Sequence, residues 1–407
     1  MRETQIYYSN QLNQDTENKF IQKNELQSIK NVLNSFKNGY LERDIETISS
    51  FTDEIYWNSD DAFIIGTAME EVCIGYEQIK ELFEGDFKYW GDVQLDTLNT
   101  NITVSDDKAW LSTFGTVSYT FEDTESRYDS YVEYIKGIAL DQSLDDKQKT
   151  TFINWVLTLT YHKRDGEKRY YEWPLQVSGF LLKRDEKWKF NHLHFALKAS
   201  VFPDESMNHY ADHQENFETR NKIASDYPDK ADHQNINHLI QTIQSKLIGK
   251  STISLEVIEK CFDNAQGGYI LLPDNKTLYE SKEIKEFFET LVHCELDIKQ
   301  DKLMVCEYEN VIYLSGVGLI SKSFSENEIY ANTIKEILQI VDTSANSKDK
   351  LFSCHKMTSY GIKQEAQGDK DTWPIRFTGV LLKQEQEIKI HQLHMSYPNY
   401  WIFEGKY

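Results

Sequence analysis

The stretch "WPLQVSGFLLKRDEKWKFNHLH", Trp173 to His194, is followed two hundred residues later by "WPIRFTGVLLKQEQEIKIHQLH", Trp373 to His394, and nine of the 22 paired positions are identical. Each copy reads as two apolar, aromatic-rich strands joined at a polar turn, "RDEK" in the first. A closing hairpin written twice, ending both times in "LH", points to a chain made of two copies of one plan. It also raises the question of whether His194 is there for chemistry or for architecture.

The self-similarity extends well beyond the hairpin. "IKELF" (79–83) returns as "IKEFF" (284–288), "WLSTFG" (110–115) as "YLSGVG" (313–318), and "YVEYIKGI" (131–138) as "YANTIKEI" (330–337). The order is conserved, and the offset drifts only from 199 residues (Tyr131 to Tyr330) to 205 (Ile79 to Ile284). With 407 residues the chain has room for two domains. The expected layout is a polar extension over residues 1–21, a first domain over 22–202, a polar linker over 203–235 and a second domain over 236–407. The linker holds His213 and His233 within two "ADHQ" motifs, but a polar segment with little to fix it in place makes a poor metal site.

Each copy opens with an amphipathic helix: Leu26, Ile29, Val32, Leu33, Phe36 and Tyr40 fall at helical spacing, as do Ile236, Leu239, Ile240, Ile243 and Leu247. A short helix, a turn-rich extended segment and the "IKELF" helix follow. The pattern then changes to strands: "NITVS", "AWLSTFGTVSYTF", "TFINWVLTLTYHK", "YYEWPLQVSGFLLKRD" and "KWKFNHLHFALK". Helices first and an antiparallel meander second is the α+β pattern. One extra helical segment interrupts the strands in each copy, "RYDSYVEYIKGIAL" and "EIYANTIKEILQIV", and insertions of this length cover something or contact a neighbour.

Composition narrows the function classes. The formal charge of −22 would repel a nucleic-acid backbone or an anionic membrane surface. No run approaches the ~18 apolar residues of a membrane span, and "MRETQIYYSNQLNQDTENKF" offers no signal-like apolar core, so a cytoplasmic location is expected. Five cysteines without a CxxC point to reduced thiols rather than a zinc site or a disulfide framework. Phosphate-loop, dinucleotide, HExxH and GxSxG motifs are all missing from the sequence. No cofactor or metal is expected.

The residues "FKNGYLERDIETISSFTDEI" (36–55), "IGTAMEEVCIGYEQIKELF" (65–83) and the closing strands from Trp173 to Phe195 resemble the nuclear transport factor 2-like superfamily, and within it the SnoaL-like proteins. The resemblance covers roughly 22–202 and, more loosely, 236–398. It implies two tandem cone-shaped domains, each with N-terminal helices packed on a curved antiparallel sheet around an apolar pocket. Some members are cofactor-independent isomerases, cyclases or dehydratases with acids and a Tyr or His in the pocket; others are assembly, transport or regulatory domains. Members commonly dimerise through their sheets, so a tandem copy implies an intramolecular pseudo-dimer, with further homo-oligomerisation open.

Candidate site residues follow from the first copy. Plain alternation along "KWKFNHLHF" puts Trp188, Phe190, His192 and His194 on one face. A half-buried neutral His194 would suit a general base, while a lone histidine on an apolar strand face most often serves the fold. Its persistence in the second copy, which has lost the "GTAMEE" stretch, favours the structural role. In "NSDDAF", Asp60 or Asp61 beside Tyr56 and Trp57 would be the base, with His194 or a Tyr as the polarising partner; a solvated turn is the plain alternative. Glu70 or Glu71 could add a second acid. Trp57, Tyr56, Glu70, Trp110, Trp155 and His192 are the expected pocket lining, although the tryptophans equally suit an ordinary core. Two readings remain. One is a binder of a hydrophobic small molecule, with acid/base chemistry on a carbonyl ligand, using a pocket in the first domain. The other is a non-catalytic scaffold or regulatory protein that binds another protein through its paired sheets or extra helices.

Overall fold

The computed structural model describes residues 16–68, 71–122, 125–159, 168–198, 217–219, 221–224, 227, 233–368, 370–384 and 387–398. In the first half α1 (Thr16–Glu42), α2 (Ile48–Ile55) and α3 (Tyr76–Tyr89) pack on a sheet of seven strands. The strands are β1 (Phe63–Ile65), β2 (Val72–Ile74), β3 (Asp92–Leu95), β4 (Asn101–Ser105), β5 (Lys108–Glu122), β6 (Lys168–Arg184) and β7 (Lys187–Leu197). Their order is β2-β1-β7-β6-β5-β3, with β4 also paired to β5. The sheet is antiparallel except for one parallel contact, β1 on β7.

The second half repeats this plan. Helices α6 (Gln234–Thr242), α7 (Leu255–Cys261) and α8 (Ser281–Thr290) face seven strands, β8 (Tyr269–Leu271), β9 (Thr277–Leu278), β10 (Cys294–Ile298), β11 (Met304–Tyr308), β12 (Val311–Ser323), β13 (Lys370–Gln384) and β14 (Glu387–Ser396). β8 pairs parallel with β14 just as β1 does with β7. The fold class is therefore the expected one, two tandem α+β units.

Local chemistry explains the elements. Ile29, Leu33, Phe36 and Tyr40 are buried on one face of α1, which ends where Arg43 turns left-handed at φ 51°. Gly39 is needed for the close approach of α2, because a β-carbon there would sit 2.0 Å from the Phe51 ring. The β6–β7 turn has Asp185 and Glu186 both at positive φ, the twist a two-residue hairpin requires.

One expected strand is a helix. "TFINWVLTLTYHK" was expected to be extended because it is β-branched and aromatic, yet Asp146–Leu159 forms α5. Asp145 and Gln148 cap its start reciprocally, Asp145 Oδ1 accepting from the Gln148 backbone at 2.8 Å and Gln148 Oε1 accepting from the Asp145 backbone at 3.1 Å. Packing then overrides propensity. α4 (Glu125–Leu140) lies on α5, α9 (Glu326–Asp342) lies on α10 (Ser347–Gln367), and α5 packs on α10 across the halves. Each insertion is thus a helix pair, and Asn154 Nδ2 donates to Ser359 Oγ at 3.0 Å between the two pairs.

Three apolar clusters organise the interior. One fills the first cone, one lines the second, and the third joins Phe63, Trp110, Phe180 and Leu182 of the first half to Met304, Tyr313, Val380 and Leu382 of the second. Among the described residues no helix is long and apolar enough to cross a membrane. The expected extension and linker fall largely outside the described residues.

Candidate functional site

The expected face of His192 and His194 is corrected by a β-bulge. β6 pairs with β7 as Leu181↔Phe190 and then Phe180↔His192, so Asn191 is an extra residue that shifts the strand's phase. Trp188 and Phe190 point into the cone, and after the bulge Leu193, Phe195 and Leu197 do. His192 and His194 therefore leave on the opposite face. β14 carries the same bulge, between Val380 and Leu381 on its partner strand, and sends Gln392 and His394 outward.

There the two sheets meet in a polar seam. The His194 and His394 rings stack with centroids 3.9 Å apart. His194 bonds Thr378 Oγ1 at 3.0 Å and Ser396 Oγ at 2.8 Å, while His394 Nδ1 bonds Ser178 Oγ at 2.7 Å. Trp110 Nε1 donates to His391 Nδ1 at 3.1 Å, which leaves His391 Nε2 to donate to Gln266 O at 3.2 Å and so fixes the tautomer. Burial pulls the His394 pKa down to about 3, with the Arg376 charge adding to the effect, and pulls His391 down to about 4. His194 is held by hydroxyls of the other half.

Asp60 is exposed in the turn. Asp61 lies in the same turn but looks into a polar cluster at one end of the seam. Its Oδ2 accepts from Tyr308 OH at 3.4 Å, its Oδ1 from Asn191 Nδ2 at 3.4 Å and from Ser59, and its backbone oxygen from Tyr227 OH at 2.7 Å. His192 Nε2 lies 3.3 Å from the same Tyr308 hydroxyl. Burial lowers the His192 pKa to about 3 against the opposing pull of Asp61, and burial raises both tyrosines. The structure thus joins Asp61 to His192.

Tyr56 is a core residue whose hydroxyl donates to Phe63 O at 3.1 Å. Trp57 donates to Leu182 O at 2.8 Å beneath the Lys189 ammonium. Trp110 belongs to the seam, Trp155 sits on α5, and Glu70 lies outside the described residues. Tyr56, Trp57, Trp110 and His192 are not among the residues that line the two cone spaces described below. Among the described residues no group of three or more His, Cys, Asp or Glu is placed to hold a metal.

The cones themselves differ. In the first, Phe36, Phe51, Phe83, Phe87, Phe190 and Phe195 interlock, with Phe36 and Phe195 stacked at 5.8 Å and Phe51 and Phe87 tilted against each other at 5.1 Å. What remains is a space of about 320 Å³ at the mouth, edged by Tyr40, Glu71 and Asp86. Tyr40 OH donates to Asp86 Oδ2 at 2.5 Å, and burial, then Asp86, raises the phenol well above its usual range. Glu71 accepts from the Ala68 backbone at 2.7 Å. Tyr40 and Asp86 were not anticipated; the available signal was an acid next to Phe87 on the inward side of α3.

In the second cone Ile390 and Met395 replace Phe190 and Phe195, and a space of about 610 Å³, counted out to its mouth, stays open. Every described lining residue is Leu, Ile, Phe, Met or Gly. The glycines show the contrast directly. A β-carbon on Gly179 would meet the Phe190 ring at 2.7 Å, whereas on Gly379 the nearest atom, Gln392 O, is 3.5 Å away. Of the two cone spaces described, the one in the second half is the larger.

Helices laid on a curved sheet, with an apolar interior at the open end, define an α+β cone protein in two tandem units. Residues 29–132 match the family model described as a SnoaL-like domain. Among solved structures the chain is similar to a nuclear transport factor 2-like superfamily protein from Salmonella enterica serovar Typhimurium (14% identity, 46% of this chain and 99% of that one, TM-score 0.29). It is also similar to a protein of unknown function with a cystatin-like fold from Nostoc punctiforme (12% identity, 43% and 92%, TM-score 0.25). No curated protein matches the chain.

Proposed function

We propose that the protein binds a small, uncharged, apolar molecule in the cone of its second half and does not transform it. The observation that carries this reading is the lining of that cone, which offers a ligand apolar contact and no titratable group among the described residues. Acid/base chemistry needs a poised carboxylate or imidazole within reach of the reacting atom. The seam histidines are engaged with hydroxyls of the opposite sheet. The two halves serve as an intramolecular pseudo-dimer, a reading supported by the polar and apolar contacts between their sheets. The test is fluorescence titration with N-phenyl-1-naphthylamine, an uncharged apolar probe. Saturable binding is expected, weakened about tenfold or more by Ile390→Phe, which copies the filler of the first cone. Unchanged binding by that variant would overturn the assignment.

A second reading has its own observation. Tyr40, Glu71 and Asp86 converge at the mouth of the first cone, two acids and a phenol beside apolar walls. Turnover of a carbonyl compound lost in Tyr40→Phe would favour it over binding alone.

A further inference from the structure

Helix α9 is apolar on two faces. Ile329 and Thr333 are buried, with Gly361 of α10 packed so closely that a β-carbon on it would sit 2.4 Å from Thr333 Oγ1. A second row, Tyr330, Ile334, Leu338 and Val341, lies between 41% and 58% exposed. Steps of four, four and three residues align these side chains along one side of a helix. Scattered exposed apolar residues are ordinary, whereas a continuous stripe marks a surface built for contact. The stripe also stands on a fixed element, since Ser325 and Glu328 form a reciprocal capping box at the start of the helix.

Charge indicates what the contact is. Glu326 and Asp342 are exposed and extend the Tyr330, Ile334, Leu338 row by one turn at either end. α9 as a whole carries Glu326, Glu328, Glu336 and Asp342 against Lys335 alone. Two cations from the neighbouring helices are engaged: Lys147 of α5 is paired with Glu365, and Lys350 of α10 donates to Val341 O at 2.7 Å. A second copy of this chain fits the stripe poorly. Packed antiparallel, two α9 helices would set Glu326 of one against Asp342 of the other; packed parallel, each acid would meet itself. Both chains would also carry −22. The acids do not come with the repeat: at an offset of 199 residues the row reads Arg127, Tyr131, Ile135, Ala139 and Ser143, with no acid at either end.

We propose that the exposed stripe of α9 docks an amphipathic helix of another protein, one with an apolar face about three turns long and Lys or Arg at both ends. Apolar burial along the middle supplies the attraction, and the two acid ends fix register and exclude partners with acidic ends. The surface is separate from the apolar cone of the second half. Either can fail without the other.

Fluorescence anisotropy on the intact chain tests the proposal, with a labelled synthetic helix of about 20 residues that carries leucine at steps of three and four and lysine in its first and last turns. Saturable one-to-one binding is expected, and the same peptide with glutamate for each lysine should bind at least about tenfold more weakly. Ile334→Gln combined with Leu338→Gln should weaken binding about tenfold or more, with the melting temperature unchanged because both side chains already face solvent. Val132→Gln combined with Leu140→Gln, exposed on α4, should leave it unchanged. Glu326→Gln combined with Asp342→Gln should weaken it about three- to tenfold and flatten its salt dependence. Should the α9 apolar pair misfold, the charge pair decides. No saturable binding, equal affinity for the two peptides, or wild-type binding by both α9 double variants overturns the surface. Sedimentation showing a dimer of the chain that Ile334→Gln with Leu338→Gln dissociates would give the stripe to a second copy and overturn the partner helix.

Discussion

Lowering the pH from 7.5 to 5.5 should cost the folded protein about 4 kcal/mol through three buried histidines alone. His192, His391 and His394 have pKa values near 3, 4 and 3 in the folded chain, against about 6.5 when unfolded. The unfolded state therefore binds more protons on acidification, and stability falls as pH falls. This contribution is complete above about pH 6.5 and is lost progressively toward pH 4 and 3. One unit below 6.5, protonation favours the unfolded chain by about 1.4 kcal/mol per histidine, or about 4 for three. Against a total of roughly 5–15 kcal/mol for folded proteins, that is a large share. Urea denaturation followed by far-ultraviolet circular dichroism at both pH values measures it, and His394→Gln should remove about a third of the difference. Equal unfolding free energies at pH 7.5 and 5.5, or histidine resonances titrating near 6.5 in the folded state, would refute a dry seam.

The two equivalent glycines should respond differently. Gly179→Ala should lower stability by about 1–3 kcal/mol, because its β-carbon meets the Phe190 ring; Gly379→Ala should change it by less than about 1 kcal/mol, and paired melting curves decide. Asp61→Asn should cost about 1–3 kcal/mol by weakening the bonds from Tyr308 and Asn191, whereas the exposed Asp60→Asn should stay within about 0.5 kcal/mol in the same assay. Phe190→Ile should open the first cone and cost about 2–4 kcal/mol in chemical denaturation, since the surrounding rings cannot all collapse into the space.

Much of the architecture was legible because repetition and periodicity report it directly. The helical stripe Ile29, Leu33, Phe36, Tyr40 and the two-residue turn at Asp185–Glu186 are local signals, and both appear where expected. α5 was misread because Thr, Ile, Trp and Val weigh toward strand while the "DDKQ" cap weighs toward helix, and only packing against α10 decides between them. The bulge was missed for a different reason. Its signal is a phase change, with Trp188 and Phe190 on even positions and Leu193, Phe195 and Leu197 on odd ones, and plain alternation assumes that no such change occurs. Once the phase is corrected, the histidine that closes both copies is seen to face its twin. No sequence pattern pointed to Tyr40 beside Asp86 or to Arg376 over the 66–68 carbonyls, because each pairs residues distant along the chain.

The extra residue in β7 and β14 makes each closing strand a crossover between two environments. Its first part is read by the cone and its last part by the opposite sheet, so one strand is held to two specifications at once. Pairing Asn191 in plain alternation, with no bulge, would leave composition and charge untouched, yet it would turn His192 and His194 into the aromatic interior and present Leu193 and Phe195 to the opposite sheet. Drift at these few positions is therefore policed by both surfaces together, which offers a physical reason for "LH" to survive in two copies that otherwise share fewer than half of the paired residues in this hairpin.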